Sequence, residues 1–325
     1  MRYRSTKRFP LNASVVGLGC WGLSGPSIWK DSNDSDSIKI VHKALESGIN
    51  FFDVAPVYGF GHAEEILGKA LRGFARDKVI IATKCGLIWD EQKRITRCLK
   101  PESVFKEIDE SLRRLGTDYV DLYQLHWPDP NTPIEETIDA LLELKKAGKV
   151  RFIGLSNFSV DTARRLLEHI SSMQGLYNMF ERNALSYHNI PLEYRTEREV
   201  LPFCEENDLA FLPYSPLMQG VLTGDIDYNE KFTDVRAANP KLVGDNLRKY
   251  IAIVEKLKAI GSKIGKPVNE IAMNWLIKHR PITSIIAGAT KPEQLEENLK
   301  ALDWEMDNEL FNEIEAIVLE SGILT

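Results

Sequence analysis

The stretch Asn50-Phe-Phe-Asp53-Val-Ala-Pro-Val-Tyr58-Gly59 decides how the rest of the chain is interpreted. It begins as a short apolar run, which is typical of a buried strand, and it ends in a Pro/Gly turn. Asp53 stands where the strand ends, and a buried carboxylate without a partner is costly. Asp53 therefore either caps the next helix or pairs with a cation that another part of the chain supplies.

Eight apolar, β-rich runs occur along the 325 residues, at 15–18, 49–54, 79–83, 119–125, 150–155, 173–177, 209–214 and 284–287. Helical periodicity follows them, at 36–47, 62–74, 101–115, 134–147, 160–169, 193–207, 268–278 and 292–299, with further helices near 246–264 and 307–319. Short continuous apolar strands indicate a sheet that is covered on both faces. Eight β-then-α units in order favour a closed barrel over an open sheet. We therefore expect an α/β fold, a single (β/α)8 TIM-barrel domain over residues 1–325 with extra C-terminal helices.

The composition narrows the classes of function. A formal net charge of -6 argues against a nucleic-acid partner, because phosphate binding needs a basic face. Four scattered cysteines without a C-x-x-C pair indicate neither a metal site nor a disulfide framework. The basic N-terminus is not followed by an apolar signal region, and no run of 18 apolar residues is present. We expect a cytoplasmic protein without a membrane partner.

One motif suggests a dinucleotide site of another fold. Gly17-Leu-Gly19-Cys-Trp-Gly22 satisfies G-x-G-x-x-G, but that fingerprint needs a helix to begin at the third glycine, so that its N-terminus meets the pyrophosphate. The residues that follow, Leu23-Ser-Gly-Pro26, do not resemble a helix start. A Rossmann site is therefore not indicated.

Polar side chains follow three neighbouring strands of the expected barrel. Asp53, Lys84 and His126 lie at the ends of the second, third and fourth runs, and Tyr58 lies a few residues beyond the first of them. The chemistry of such barrels is found where strands end. Each residue alone has a structural explanation, but four on adjacent strands indicate shared catalysis.

These four groups suit one kind of proton transfer. A phenol, with a pKa of about 10 in water, becomes a usable acid when a cation lies beside it. Lys84 can be that cation, and Asp53 can keep it protonated. His126 can orient a carbonyl oxygen, and Tyr58 can protonate the alkoxide that forms when a hydride reaches the carbonyl carbon. This arrangement still requires a hydride source.

The chain resembles the aldo-keto reductase family from about residue 8 to residue 302. The resemblance rests on motifs at 19–22, 53–59, 82–84, 121–128, 153–158, 174–178, 213–217 and 288–298. It implies that Asp53, Tyr58, Lys84 and His126 form the family's catalytic tetrad, with Tyr58 as general acid/base. It also implies that the protein is an NAD(P)H-dependent oxidoreductase, which reduces an aldehyde or ketone, a sugar or small carbonyl compound, to an alcohol.

The same resemblance implies a cofactor site. The nicotinamide end would be held by Ser156, Asn157 and Gln174, with Tyr214 stacked on the ring. The pyrophosphate would be lined by Ser215, Leu217, Gln219, Gly220, Leu222 and Gly224. A long loop without predicted structure, 224–244, is expected to fold over it, and its Arg236 would compensate charge. The adenosine end would be bound by Gly288, Thr290, Lys291, Gln294, Glu297 and Asn298.

The adenosine end departs from the family pattern at one position. Many NADPH-using members carry an arginine where Gln294 stands, and glutamine cannot supply that charge to a 2′-phosphate. Lys291 can compensate as a point charge near a helix start. The expected cofactor is NADP(H) in preference, with NAD(H) as an alternative.

Four tryptophans fall in loops near the expected site, and we expect them to contact substrate: Trp21, Trp29, Trp89 and Trp127. Packing within the loops explains them equally well. Two other functions are consistent with this sequence. The first is a class I aldolase with Lys84 as the Schiff-base nucleophile, although a fixed Asp53 would keep the amine protonated. The second is a non-catalytic, channel-associated or binding member of the fold. The oligomeric state is not indicated.

Overall fold

Eight parallel strands close into a barrel in this computed structural model, which describes residues 1–30 and 32–324. The strands are β1 (Val16–Gly19), β2 (Phe51–Asp53), β3 (Ile80–Cys85), β4 (Val120–Leu125), β5 (Val150–Ser156), β6 (Ile170–Leu176), β7 (Ala210–Tyr214) and β8 (Ile285–Gly288). Each strand pairs with the next in the chain, and β8 closes the barrel against β1. The expected TIM barrel is confirmed.

The α-helices of the described residues surround the strands. They are α1 (Asp34–Glu46), α2 (His62–Ala70), α3 (Pro101–Leu115), α4 (Ile134–Lys146), α5 (Val160–Arg165), α6 (Leu201–Glu206), α7 (Gly244–Ile264), α8 (Val268–Lys278), α9 (Pro292–Leu299) and α10 (Asn308–Glu320). Three antiparallel pairs lie outside the barrel sheet: Tyr3–Arg4 with Ala13–Ser14, Leu87–Trp89 with Ile95–Arg97, and Ser186–Tyr187 with Ile190–Pro191. None of the described helices combines the length and the apolarity that crossing a bilayer requires.

The predicted helix at 193–207 is wrong in its first half. A π-helical turn spans Thr196–Val200, and the α-helix begins only at Leu201, with Pro202 in its first turn. Tyr194 lies before both elements because its hydroxyl donates to Asn157 Oδ1 at the end of the barrel, 3.0 Å away. This tertiary contact accounts for residues 193–195 lying outside the helix that the sequence pattern alone predicts.

Apolar side chains fill the barrel interior. Phe9, Phe51, Leu122, Leu212 and Ile286 belong to one buried cluster inside the sheet, and a larger cluster lies between the strands and the surrounding helices. Burial of this apolar surface is the main favourable term in folding. The charged residues of β2 and β3, Asp53 and Lys84, lie at the carboxyl ends of these strands.

The glycine motif at the end of β1 has a packing explanation. A 3-10 helix, Cys20–Leu23, follows β1 instead of an α-helix. A Cβ atom at Gly19 would lie 2.9 Å from Ile286 Cγ2, and one at Gly22 would lie 2.2 Å from the carbonyl oxygen of Ala289. Glycine is required there because the chain after β1 approaches β8 so closely.

Candidate active site

Neighbouring strands bring Asp53, Lys84 and His126 to one end of the barrel. Asp53 is the last residue of β2, Lys84 lies one residue before the end of β3, and His126 follows β4 directly. Tyr58 lies in the turn after β2, where its backbone N–H donates to the carbonyl oxygen of Ala55. Parallel strands end at the same edge, so the four side chains meet.

Lys84 is the centre of this group, and its side chain is fully buried. Its Nζ atom lies 2.7 Å from Asp53 Oδ2, 3.1 Å from the carbonyl oxygen of Val54 and 3.3 Å from the hydroxyl oxygen of Tyr58. An ammonium has three N–H donors, and all three have an acceptor here. Burial acts to lower the pKa of Lys84, but the Asp53 carboxylate and Tyr58 outweigh it, and the net pKa lies above its ordinary value.

The balance of effects at Tyr58 differs from the sequence-based expectation. Burial raises the pKa of the Tyr58 phenol, and the neighbouring Lys84 ammonium lowers it without cancelling that rise. The net pKa therefore lies above the ordinary value, and the phenol is protonated at neutral pH. Desolvation therefore outweighs the effect of the Lys84 charge on the pKa of this phenol. A protonated phenol beside a fixed cation can donate a proton to an oxygen that gains charge.

His126 is nearly buried and lies against Tyr58, with the two rings edge to face and their centroids 6.0 Å apart. Burial, with the Lys84 charge, places the pKa of His126 well below its ordinary value. The imidazole is therefore neutral at physiological pH, with one N–H donor and one acceptor. It can donate a hydrogen bond to a carbonyl oxygen without competing for the transferred proton.

The second oxygen of Asp53 binds two side-chain amides. Gln174 Nε2 lies 2.8 Å and Gln124 Nε2 lies 3.1 Å from Asp53 Oδ1. Gln124 is fully buried on β4, two residues before His126, and it was not predicted as a site residue. The signal was present in the sequence, since a polar residue in a buried strand needs a hydrogen-bond partner. Together these donors fix the carboxylate against Lys84.

The predicted nicotinamide ligands lie beside the tetrad, on the next strands. Asn157, whose φ of 65° is left-handed, accepts hydrogen bonds at Oδ1 from Tyr214, 2.8 Å away, and from Tyr194, 3.0 Å away. Its Nδ2 donates to the carbonyl oxygen of His126 and to Ser156 Oγ. Tyr194 was not predicted. Asn157 thus connects β5 with the ends of β4 and β7 through its own amide.

One cavity of about 470 Å³ joins the tetrad to the start of α9. Asp53, Tyr58 and His126 line it, whereas Lys84 lies beneath them. The predicted cofactor residues in its wall are Ser156, Asn157, Gln174, Tyr214, Ser215, Leu217, Gln219, Gly220, Arg236, Gly288, Thr290, Lys291, Gln294, Glu297 and Asn298. Lining residues that the sequence analysis missed include Cys20, Tyr187, Thr223, Asp225 and Asn269.

Leu222 and Gly224, predicted pyrophosphate residues, lie outside the cavity lining. Leu222 is fully buried in the apolar core, and Gly224 has a φ of 90° at the end of the turn that follows β7. Trp89 is also outside the lining, because it lies on the hairpin after β3 and packs edge to face on Phe60, with ring centroids 5.6 Å apart. The other predicted tryptophans, Trp21, Trp29 and Trp127, line the cavity.

The sequence predicted a loop without regular structure at 224–244, but the loop contains short helical turns. Two 3-10 turns, Val235–Ala238 and Pro240–Leu242, lie within it. Arg236 already has a charge partner, since its Nη2 lies 2.6 Å from Asp234 Oδ2 and its Nε lies 2.9 Å from Asp234 Oδ1. Arg236 also lines the cavity, so its predicted charge compensation stays a prediction in which Asp234 would share the guanidinium.

Gln294 has a structural task at the adenosine end. Its Oε1 accepts hydrogen bonds from the backbone N–H groups of Thr290, 2.8 Å away, and Lys291, 3.2 Å away. These contacts satisfy donors at the N-terminus of α9, as a capping side chain does. An arginine has no acceptor and cannot make them. Gln294 therefore caps the N-terminus of α9, a role that an arginine at this position could not fill.

The comparisons with known proteins agree with this geometry. The model of the aldo/keto reductase family matches residues 15–319. Aldo-keto reductase YhdN of Bacillus subtilis is 36% identical over 324 residues, 98% of this chain and 94% of that protein. The NADH-specific methylglyoxal reductase of Escherichia coli is 34% identical, over 91% of this chain and 94% of that protein.

Among solved structures, the glycerol dehydrogenase AKR11B4 of Gluconobacter oxydans superposes with a TM-score of 0.85 and 33% identity, over 99% of this chain and 96% of that one. The matches extend over nearly the whole of both partners, so the barrel, the loops and the C-terminal helices are all included. With the tetrad side chains in contact at the mouth of an eight-stranded barrel, the chain belongs to the aldo/keto reductase family.

Proposed function

We propose that this protein is an NAD(P)H-dependent oxidoreductase that reduces an aldehyde or ketone, a sugar or small carbonyl compound, to the alcohol. One observation carries the proposal: Lys84 Nζ contacts both Asp53 and Tyr58 beneath a cavity that continues to the start of α9. The cavity thus joins the proton donor to the residues predicted to bind the cofactor. Relatives whose names state a reductase or dehydrogenase activity support the same reaction class.

The chain's own residues provide the proton and position the substrate. A reduced nicotinamide, when bound, supplies the hydride to the carbonyl carbon. Tyr58, as general acid, gives its hydroxyl proton to the carbonyl oxygen, so that one hydride and one proton convert C=O to CH–OH. Lys84, 3.3 Å from the Tyr58 oxygen, stabilises the phenolate that is left. His126 donates its single N–H to the same oxygen and orients the carbonyl group.

Two groups of the predicted nicotinamide site remain free to bind a carboxamide. Asn157 uses its amide within the protein, and Gln174 Nε2 is bound to Asp53. Gln174 Oε1 accepts only a long hydrogen bond, 3.4 Å from Ser156 Oγ. Gln174 Oε1 and the Ser156 hydroxyl are therefore the groups that would bind the carboxamide. Tyr214, which lines the cavity beside them, would lie against the ring.

We infer a preference for NADPH, with NADH as the alternative cofactor. Lys291 supplies a positive charge in the cavity wall at the start of α9, where a 2′-phosphate would lie. Glu297 lines the same end and works against a phosphate. Gln294 adds no charge. The name of the Escherichia coli relative states NADH specificity, so the adenosine end of this chain needs a direct test.

The alternative functions predict different results. An aldolase would need an uncharged, accessible amine, whereas Lys84 is buried, paired with Asp53 and outside the cavity lining. A non-catalytic binding protein would bind cofactor without turnover. Fluorescence titration with NADPH and NADH, followed by a panel of carbonyl substrates that includes methylglyoxal, tests the proposal. We expect saturable binding and cofactor oxidation with at least one aldehyde. Binding without turnover over the panel would contradict it.

The domain organisation, the cellular location and the class of partner complete the proposal. We propose that residues 1–325 act as one domain, supported by a barrel whose strands extend from Val16 to Gly288. We propose the cytoplasm as the site of action, supported by four cysteines that are all free thiols. The net charge of -6 supports a small-molecule substrate over a nucleic-acid partner.

A further inference from the structure

A short hairpin places an unassigned histidine, His188, against Tyr187 and Trp21, two residues that line the cavity. Its strands are Ser186–Tyr187 and Ile190–Pro191, and the two residues of its turn, His188 and Asn189, have φ values of 46° and 64°. Positive φ at both turn residues is typical of a type I′ hairpin, whose turn residues are most often Asn, Asp or Gly. A residue that holds such a conformation is a candidate for a function. The turn places the His188 ring against Tyr187 and Trp21, with centroids 4.6 and 6.3 Å away.

A chain of side-chain hydrogen bonds starts at this ring. His188 Nε2 lies 2.9 Å from Gln219 Nε2, on the turn after β7, and Asn239 Nδ2 lies 2.8 Å from Gln219 Oε1. Asn239 belongs to residues 225–243, which we call the covering segment because Asp225 and Arg236 within it line the cavity. The chain thus ties the covering segment to the hairpin across the turn that would face the pyrophosphate.

The polarity of this chain follows from one backbone group. The N–H of Lys241 can only donate, and it lies 3.1 Å from Asn239 Oδ1, so that atom must be the amide oxygen. Asn239 Nδ2 then donates to Gln219 Oε1, and Gln219 Nε2 must donate to His188. His188 Nε2 is therefore the acceptor, and the imidazole proton is on Nδ1. Each amide orientation is fixed by its neighbour.

We propose that His188, Gln219 and Asn239 form a latch that holds the covering segment over the bound cofactor, and that protonation of His188 opens it. Imidazolium carries an N–H on both nitrogens, so two donors would then face each other at the contact of 2.9 Å. Gln219 cannot turn to offer its oxygen without losing Asn239, which the backbone holds in place. The latch rests on the proposed function for the identity of the cofactor.

Other charged and titratable groups face His188 and do not replace the lost acceptor. Glu181, from the loop after β6, is bound to Lys241 of the covering segment at 2.6 Å and to Asn178 at 2.8 Å. Tyr187 belongs to the hairpin itself, and its hydroxyl lies 3.3 Å from Ser215 Oγ. Burial has the largest effect on the pKa of His188 and lowers it, and Lys241 lowers it further. Glu181 raises it, whereas Gln219 would raise it only with its oxygen towards the ring, an orientation that the contact with Asn239 prevents. The net pKa lies below the ordinary value.

The lowered pKa of His188 determines how the stability of the closed latch depends on pH. Because the closed latch holds the neutral imidazole, the open form binds the proton more tightly. The closed form is therefore fully favoured above the ordinary histidine pKa of about 6.5, and it is lost as the pH falls below that value. Cofactor release should accelerate in the same range, since the covering segment must move for release.

Stopped-flow fluorescence can measure the release of NADPH and of NADH from pH 5.5 to pH 7.5. We expect wild-type release to be on the order of tenfold faster at pH 5.5, the effect of about one hydrogen bond that faces a charge. His188→Asn, which accommodates positive φ and does not titrate, should release at rates within roughly twofold across the range. Any pH dependence that remains in His188→Asn comes from titration of other groups, including the cofactor itself. His169→Asn, a control away from the latch, should keep the wild-type dependence.

A second measurement needs no cofactor. Nitrogen-15 NMR of labelled histidine should show one signal that disappears in His188→Asn, with the proton on Nδ1 at pH 7.5. A proton on Nε2 would overturn the latch, and so would pH-independent release from wild type or equal pH dependence in His188→Asn. If neither cofactor binds at pH 7.5, the proposed function fails together with the role of the latch in release, whereas pH-independent release with normal binding refutes only the latch.

Discussion

Gln124 Nε2 lies 3.1 Å from Asp53 Oδ1, and Lys84 Nζ lies 2.7 Å from the other oxygen of the same carboxylate. The buried amide on β4 thus holds the carboxylate that holds the buried ammonium on β3. Gln124 contacts neither Tyr58 nor the cavity. It can affect Tyr58, the proposed acid, only through Asp53 and Lys84. Gln124 is accordingly a positioning residue in the proposed reaction.

Substitution of Gln124 should change both the rate and its pH dependence. Gln124→Leu removes one donor from Asp53 and should lower kcat about tenfold, the effect of a hydrogen bond to a charged group. Gln124→Glu keeps the shape but places a second carboxylate beside Asp53, and we expect a larger loss at pH 8. Activity should recover as the pH falls, because a protonated Glu regains an O–H donor. Steady-state kinetics from pH 5 to pH 9 would show this, and identical pH profiles of the two variants would argue against the role.

Tyr58→Phe removes the proton donor and leaves the cavity nearly unchanged in shape. We expect turnover to fall by about 10²–10⁴, the usual effect of lost acid–base catalysis. Cofactor affinity should stay within about twofold of wild type, because the hydroxyl contacts Lys84 and not the predicted cofactor residues. Single-turnover kinetics measure the loss of turnover, and a binding titration measures the cofactor affinity. A variant with wild-type kcat would remove Tyr58 from the mechanism.

Gln294→Arg should shift cofactor preference towards NADPH, since a guanidinium can bind a 2′-phosphate bidentately. We expect the ratio of kcat/KM for NADPH to that for NADH to rise about tenfold. The variant should also lose the hydrogen bonds at the start of α9, at a cost of about 0.5–2 kcal/mol in the free energy of unfolding. Gln294→Ala loses the same cap without adding charge, so it separates the two effects. An unchanged ratio in Gln294→Arg would place the adenosine end elsewhere.

Glu107 should make the protein less stable as the pH rises. Its buried carboxyl accepts hydrogen bonds from the backbone N–H of Gly86 and from Ser103, at 3.0 Å each. Burial outweighs these contacts and raises the pKa to about 7. The folded state therefore binds the proton more tightly than the unfolded state, and stability falls as the pH rises from about 4.3 towards 7.

Glu107→Gln keeps both contacts of Glu107 without the charge, because its amide can accept from Gly86 and donate to Ser103. We expect its free energy of unfolding at pH 8 to exceed that of wild type by roughly 2–3 kcal/mol, and the difference to shrink towards pH 5. Chemical denaturation at the two pH values measures this. A variant that is less stable than wild type at pH 8 would contradict the raised pKa.

The sequence by itself determined the barrel and the place of its chemistry. Strand and helix periods are local properties, so β-then-α units can be counted along the chain. Parallel strands in a closed barrel have all their carboxyl ends at one edge, so Asp53, Lys84 and His126 could be assigned to a common site before any coordinates. Their types then favoured proton transfer beside a fixed cation over Schiff-base chemistry at Lys84.

Only the tertiary structure decided which atoms are already engaged. Arg236 is neutralised by Asp234, Gln219 is held at both ends of its amide, and Trp89 packs away from the cavity. Tyr58 is less acidic than its cationic neighbour suggests, because desolvation is a property of the whole surroundings. Periodicity gives the face of an element on which a side chain lies, whereas its partners, burial and pKa come from residues distant in the sequence. Those long-range contacts exist only in the folded chain.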